Sequence, residues 1–129
     1  MANTRTFTDI DINFTKHPIS RDLVKRIDDD AIKQSIKNLV QTSNYERPFH
    51  SEIGSQLRAL MFEPASPLMA LQIQKAISQT IINFEPRVVL TNVLVKFSLD
   101  NNAIYATIEY RIVNTSTPLS VNITLQRTR

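Results

Sequence analysis

The sequence predicts an α+β chain, with helices packed on one face of a mainly antiparallel sheet that ends in a three-stranded meander. Three observations carry that prediction. Apolar residues recur at spacings of three and four between Ile32 and Phe84, the spacing changes to two from Arg87 onward, and a proline, Pro86, stands at the change. Helices followed by consecutive strands, with no helix between the strands, point to α+β rather than to alternating βαβ units.

Residues 1–21 read as an extended N-terminal arm, in which Phe7, Ile10, Ile12 and Phe14 alternate weakly before His17-Pro18 breaks the pattern. The remainder, 22–129, reads as one domain. The run DLVKRI, 22–27, suits a short edge strand. Asp28, Asp29 and Asp30 then supply an N-cap and an acidic first turn. The helix that follows places Ile32, Ile36, Leu39 and Val40 on one face. A loop, TSNYERPFHS, covers 42–51; Phe49 and Ile53 are expected to pack inward, Glu46 and Arg47 to stay solvated, and Gly54 to supply a positive-φ turn. A short helix from about Ser55 to Phe62 contributes Leu57, Leu60 and Met61 before Pro64 stops it.

Ser66 and Pro67 are suited to the cap and first position of the next helix, which carries Ala70, Ile73, Ile77, Ile81 and Phe84 on one face. It ends at Glu85, because the residue before a proline is pushed out of helical geometry. In the strands that follow, one inward row reads Val89, Thr91, Val93, Val95, Phe97 and Leu99. The next, after Asp100-Asn101-Asn102, reads Ile104, Ala106, Ile108, Tyr110 and Ile112, and the last, after NTSTP, reads Leu119, Val121, Ile123 and Leu125.

Composition narrows the function. At 129 residues the chain buries roughly two thirds of its unfolded surface, enough for a core without staples. The chain has no cysteine, hence no disulfide or thiolate ligand, which suits a reducing compartment. Two histidines, His17 and His50, do not make a zinc site, and no metal or other cofactor is expected. One glycine cannot build a phosphate-cradling loop, so nucleotide enzymes of those classes are excluded. The net charge of +3 is scattered, and aromatics do not interleave with basic residues, so no nucleic-acid partner is expected. The stretch MANTRTFTDIDINF lacks the apolar run of a secretion signal, and no segment approaches the ~20 apolar residues of a membrane span.

Two features point to binding. Glu85 and Arg87 flank Pro86, and in extended chain residues two apart point to one side. The pair can close on itself as a solvated ion pair worth ~0–1 kcal/mol, or grip charges on another molecule. Beside it, Val88, Leu90 and Leu94 form an apolar row of the parity opposite to Val89 and Val93, as a docking surface requires. The second feature is PLSVNITLQ, 118–126, a β-rich run without a charge. It is either an interior strand or an edge open to a strand from another chain.

The stretches DAIKQSIKNLVQT, then ERPF and IGSQLRALMFEP, then EPRV at the helix-to-strand junction, together resemble the small baseplate wedge proteins of contractile-tailed phages. That family, labelled the gene-25-like lysozyme family, is shared with type VI secretion baseplates; the resemblance covers about residues 9 to 127. The arm DIDINFTKHP looks more like the phage members. Tyr45 stands where the family usually has glycine, and Ile53 where an aromatic is usual. The resemblance implies a structural subunit of the virion tail baseplate, assembled in the host cytoplasm. In it Glu85, Pro86 and Arg87 would grip the helical core bundle of the wedge, and the sheet would accept strands from tail sheath protein, templating the first sheath ring. No small-molecule substrate is implied.

The lysozyme label raises a hydrolase alternative, in which two carboxylates, one protonated and one ionised, would cleave peptidoglycan. Candidates are Glu46, Glu52, Glu63, Glu85 and Asp100. Phage-type muramidases are similar to one another in having aspartate nine residues after the glutamate. Here Ser55, Met61, Gln72, Leu94 and Pro118 stand nine residues after Glu46, Glu52, Glu63, Glu85 and Glu109. No tryptophan is present to stack on a sugar, and Arg87 beside Glu85 favours the ionised form, the wrong direction for a general acid. The sequence therefore favours binding over catalysis. A type VI secretion component, or an anti-adaptor of a regulatory branch of the same fold, are the remaining alternatives; the phage-like arm argues against the anti-adaptor.

Overall fold

The meander appears in a computed structural model that describes residues 7–113 and 115–126. Its three strands are β3 (Val88–Ser98), β4 (Ala103–Ile112) and β5 (Pro118–Gln126), antiparallel in the order β3-β4-β5. Before them in the chain come β1 (Thr8–Ile10), β2 (Lys25–Ile27), α1 (Asp29–Gln41), α2 (Leu57–Leu60) and α3 (Pro67–Phe84). The α+β prediction therefore holds. The first six residues of the expected arm, Asn114 of the NTSTP turn, and Arg127 to Arg129 lie outside the described residues.

The chain divides into two compact units, one through Ser35 and one from Ile36. In the first unit β1 and β2 pair antiparallel, Thr8 opposite Ile27 and Ile10 opposite Lys25. A bridge between Lys16 and Leu23 closes the connection further along. Of the segment read from sequence as an extended arm, residues 8–10 and 16 thus form one side of a folded-back ladder. Asp11 is the polar centre of the ladder at 1% exposure, bonded by the Thr15 hydroxyl and by Arg26 Nε at 3.1 Å. The Thr15 bond first, then the Arg26 guanidinium, hold its carboxyl below the usual aspartate range. The Gln34 side chain also reaches the ladder, donating to the Ile10 carbonyl at 2.9 Å.

In the second unit, α3 packs against β3. The Ser66 hydroxyl accepts from the Met69 amide at 3.2 Å, and Pro67 opens the helix, as its fixed φ allows. Met69, Ile73, Ile77 and Ile81 are buried along one stripe. Facing them, β4 supplies Ile104, Ala106, Ile108, Tyr110 and Ile112, all buried, as the central strand of the sheet. The segment Ile36–Gln41 of α1 adds Ile36, Leu39 and Val40 to the buried set.

Strand β3 departs from the sequence reading. Its pairing with β4 slips between Leu90, opposite Tyr110, and Asn92, opposite Glu109, leaving Thr91 as a β-bulge. One extra residue inverts the side-chain parity. Past the bulge Val93, Val95 and Phe97 lie on the core face, opposite Ile108, Ala106 and Ile104. Before it, Val88 and Leu90 share that face, opposite Ile112 and Tyr110, while Val89 turns outward. The expected outer row of Val88, Leu90 and Leu94 is therefore not one row. Leu94 is outward and 46% exposed, whereas Val88 and Leu90 are partly covered on the core side.

Candidate docking site

The corner between α3 and β3 is built by the helix stop. The Glu85 amide still donates to the Ile81 carbonyl at 2.9 Å, but its φ of −124° and ψ of 79° have left the helix. Pro86 follows, exposed, and the Arg87 carbonyl accepts from the Val113 amide at 2.9 Å, which ties the corner to the far end of β4.

Across the proline, Arg87 grips Glu85 with both arms of its guanidinium: Nε to Oε1 at 2.6 Å and a terminal nitrogen to Oε2 at 2.8 Å. Of the two possibilities left open by the sequence, the pair closes on itself. It is not, however, the solvated pair of the simple reading. Glu85 is only 3% exposed, and the Arg87 side chain 24%. A buried carboxylate is tolerated because the two charge-assisted bonds replace its water. The planar fork fixes the guanidinium, so what reaches the surface is Pro86 and one side of an oriented arginine.

The second element is β5. It pairs only with β4 among the described residues, so its other side is a sheet edge. Leu119, Val121, Ile123 and Leu125 stand opposite Tyr110, Ile108, Ala106 and Ile104 and share the core face. The outward row, Ser120, Asn122 and Thr124, is neutral. The opposite edge, β3, carries a bulge and the outward Lys96, two devices that discourage edge pairing. Strand β5 carries neither.

The loop 42–55 is held at its base and displayed at its tip. The Ser55 amide donates to the Thr42 carbonyl at 2.8 Å, and the buried Ser55 hydroxyl donates to the Val40 carbonyl at 2.7 Å. Gly54 has φ of 151°, and a β-carbon there would lie 2.7–2.8 Å from backbone atoms of Ser43 and Asn44. Only glycine fits this crossing. Glu46 is exposed and accepts from the Ser43 amide at 2.9 Å, making a turn of its own; Arg47 is exposed. The expectation for Phe49 is corrected: it is 100% exposed, with φ of 69°. Tyr45, where glycine was the familiar residue, takes φ of 68° and is 85% exposed. Left-handed backbone at both positions turns the aromatics away from the core.

Three of the five candidate carboxylates have close partners of their own. Glu85 accepts two bonds from Arg87, and Glu46 accepts from the Ser43 amide. Glu52 lies 3.2 Å from His50, and its own backbone amide first, then that histidine, lower its pKa. That is the wrong direction for a general acid. Among the described residues no three His, Asp or Glu side chains come together as a metal site. No helix is long and apolar enough to cross a membrane, again among the described residues.

The described residues thus combine a helix-backed three-stranded meander, a charged corner and a strand, β5, paired on one side. The family model "Baseplate wedge protein gp25" matches residues 27–117, most of the chain, so the chain belongs to that family. It is 32% identical over 89 residues to the baseplate wedge protein gp25 of Enterobacteria phage T4, covering 68% of this chain and 67% of that one. It is also 32% identical over 92 residues to baseplate protein W of Escherichia phage P2, covering 71% and 79%. The fold is shared with a crystal structure of a protein named as a tail lysozyme of Geobacter sulfurreducens, with a TM-score of 0.71 at 21% identity, covering 76% of this chain and 89% of the other.

Proposed function

We infer that this chain is a structural subunit of a contractile-tail baseplate, that its α3–β3 corner docks on the wedge core bundle, and that β5 receives an extended strand of the tail sheath. Membership of the baseplate wedge family supports the first statement. The observation that carries the docking role is the bidentate Glu85–Arg87 pair, which spends a buried carboxylate on orienting one partly exposed arginine beside an exposed proline. A helix stop alone needs no such arrangement. Strand addition is supported by the neutral edge of β5, whose backbone groups on that side find no strand among the described residues.

Because Glu85 is buried, reversing Arg87 to glutamate would perturb folding as well as docking. The test instead uses Pro86→Glu, which charges the exposed corner without touching the pair, and Arg87→Lys, which keeps the charge but removes the fork. Each is used as bait in a lysate containing the other tail components, with circular dichroism as the fold control. Loss of wedge capture by folded variants is expected; wild-type capture by both overturns the docking role. Ser120→Lys with Thr124→Lys, on the outward row of β5, is expected to block sheath addition while leaving wedge capture intact.

The same geometry disfavours a peptidoglycan hydrolase. The relatives matched at 32% identity are named as baseplate proteins, and the one buried glutamate described is clamped by an arginine. Clearing of peptidoglycan in a gel by the purified protein, abolished by Glu46→Gln or Glu85→Gln, would reverse this conclusion.

A further inference from the structure

We propose that the outward face of α3 is a further docking surface, which receives an amphipathic helix of another protein and seats an acidic residue of that helix against Lys75. The inference concerns a surface apart from the corner and the β5 edge, and stands or falls without them. One side of α3 is buried through Met69, Ile73, Ile77 and Ile81. On the other side Leu68, Leu71 and Ile82 are 66%, 61% and 66% exposed. At about 100° per residue these three and Lys75 fall within about 60° of one another, opposite the buried stripe. A helix with one wet side normally carries its charges there. Lys75 is the only charged residue between Pro67 and Phe84, and the rest of the exposed face, Gln72, Gln79 and Asn83, is neutral amide.

Spacing and charge select the occupant. Leu68, Leu71, Lys75, Ser78 and Ile82 follow one another at intervals of three and four, the a and d positions of successive heptads. Side chains at that interval form the holes into which the knobs of a facing helix fit. The seam runs along about 21 Å of axis at ~1.5 Å per residue. Lys75 sits at its midpoint, seven residues from Leu68 and seven from Ile82. A second copy of this chain laid symmetrically on the full seam, parallel or antiparallel, would set lysine against lysine at the centre. Like charges brought face to face in a desolvated seam are costly, so the seam rejects its own kind and selects a helix with a carboxylate at the middle. Lys75 makes no ion pair among the described residues, which leaves its ammonium available to that carboxylate.

The probe is a blocked helical peptide of three heptads, with leucine at a and d, glutamate at the central a position, and lysine and glutamate elsewhere. It is titrated into the whole protein, and amide chemical shifts along α3 report binding. Submillimolar binding centred on α3 is expected. A lysine at the probe's central position is expected to weaken binding about tenfold, and Lys75→Glu to restore the lysine probe and weaken the glutamate probe by a similar factor. Leu71→Ser with Ile82→Ser, both at exposed positions, is expected to weaken binding at least ~tenfold while circular dichroism stays that of wild type. Sedimentation is expected to show a wild-type monomer at the same concentrations. No binding, or binding that ignores either the charge swap or the serine pair, overturns the proposal. So does a wild-type dimer that the serine pair dissolves, which would assign the face to a second copy. Wedge capture by Pro86→Glu and Arg87→Lys reports the corner alone, so failure of the probe leaves that reading as it stands.

Discussion

Replacing Arg87 by methionine tests whether the corner is a buried clamp or a surface pair. The variant removes two charge-assisted bonds, of 2.6 and 2.8 Å, from a carboxylate that is only 3% exposed. A surface pair would lose at most about 1 kcal/mol. A buried carboxylate stripped of its cation loses about 3–5 kcal/mol. The Arg87 side chain is itself 24% exposed, so the pair is not fully dry and the lower end, about 3 kcal/mol, is expected. With a urea m-value of about 1.5 kcal/mol/M, the midpoint moves down by about 2 M. The double variant Glu85→Leu/Arg87→Met removes the stranded charge as well and is expected to recover at least half of the loss. Urea denaturation followed by circular dichroism reads all three proteins. A single variant within 1 kcal/mol of wild type, or a double variant no better than the single, refutes the clamp.

Further outcomes follow from the loop, the bulge and the ladder. Gly54→Ala forces a β-carbon to within 2.8 Å of backbone at 43–44 in a conformation that side chains avoid, and is expected to cost about 3 kcal/mol in the same denaturation assay. Tyr45→Gly relieves a left-handed tyrosine that contributes little packing, and is expected to raise stability by about 1 kcal/mol after the entropic cost of glycine. Deleting Thr91 makes Leu90, opposite Tyr110, run directly into Asn92, opposite Glu109, and leaves Val88, Leu90, Val93 and Val95 all on the core face, so stability is expected to stay within about 1 kcal/mol of wild type in the same assay; a loss of several kcal/mol would contradict the inverted parity. Asp11 has a depressed pKa, so its contribution to the ladder is present above the ordinary aspartate range and is lost as pH falls through its lower, folded value. Amide protection of residues 8–11 and 24–28 is expected to fall selectively under strong acid, and Asp11→Asn to remove that dependence.

The elements with a regular period were legible in the sequence. Ile73, Ile77 and Ile81 marked α3, Ser66-Pro67 its start and Pro86 its end, and the alternation of β4 placed all five of its inward residues. What escaped has a physical reason in each case. Thr91 is β-branched and sits in an unbroken alternation, so nothing local marks it as the residue that skips a partner. Phe49 and Tyr45 are apolar or amphipathic residues whose outward direction is set by positive φ, a property that sequence signals for glycine and asparagine but not for aromatics. The residues Glu85 and Arg87 were legible as a pair, but the burial of one of them depends on how the helix end settles on the sheet. The edge character of β5 was undecidable from composition, because a neutral strand suits either an interior or a bare edge.

The crossing at Gly54 partitions the loop 42–55 into a part that must be kept and a part that is free to vary. Two lengths of main chain touch there with no room for a side chain, and the Ser55 amide and hydroxyl lock the seam to Thr42 and Val40. Everything between Tyr45 and Ser51 hangs beyond that knot, joined across by the Tyr45 amide and the Ser51 carbonyl. A knot of this kind isolates its tip mechanically. Epitopes, labels or longer segments inserted between Arg47 and Phe49 should therefore leave the hydrophobic interior untouched, which makes the tip a natural attachment point for tracking the subunit inside an assembled particle.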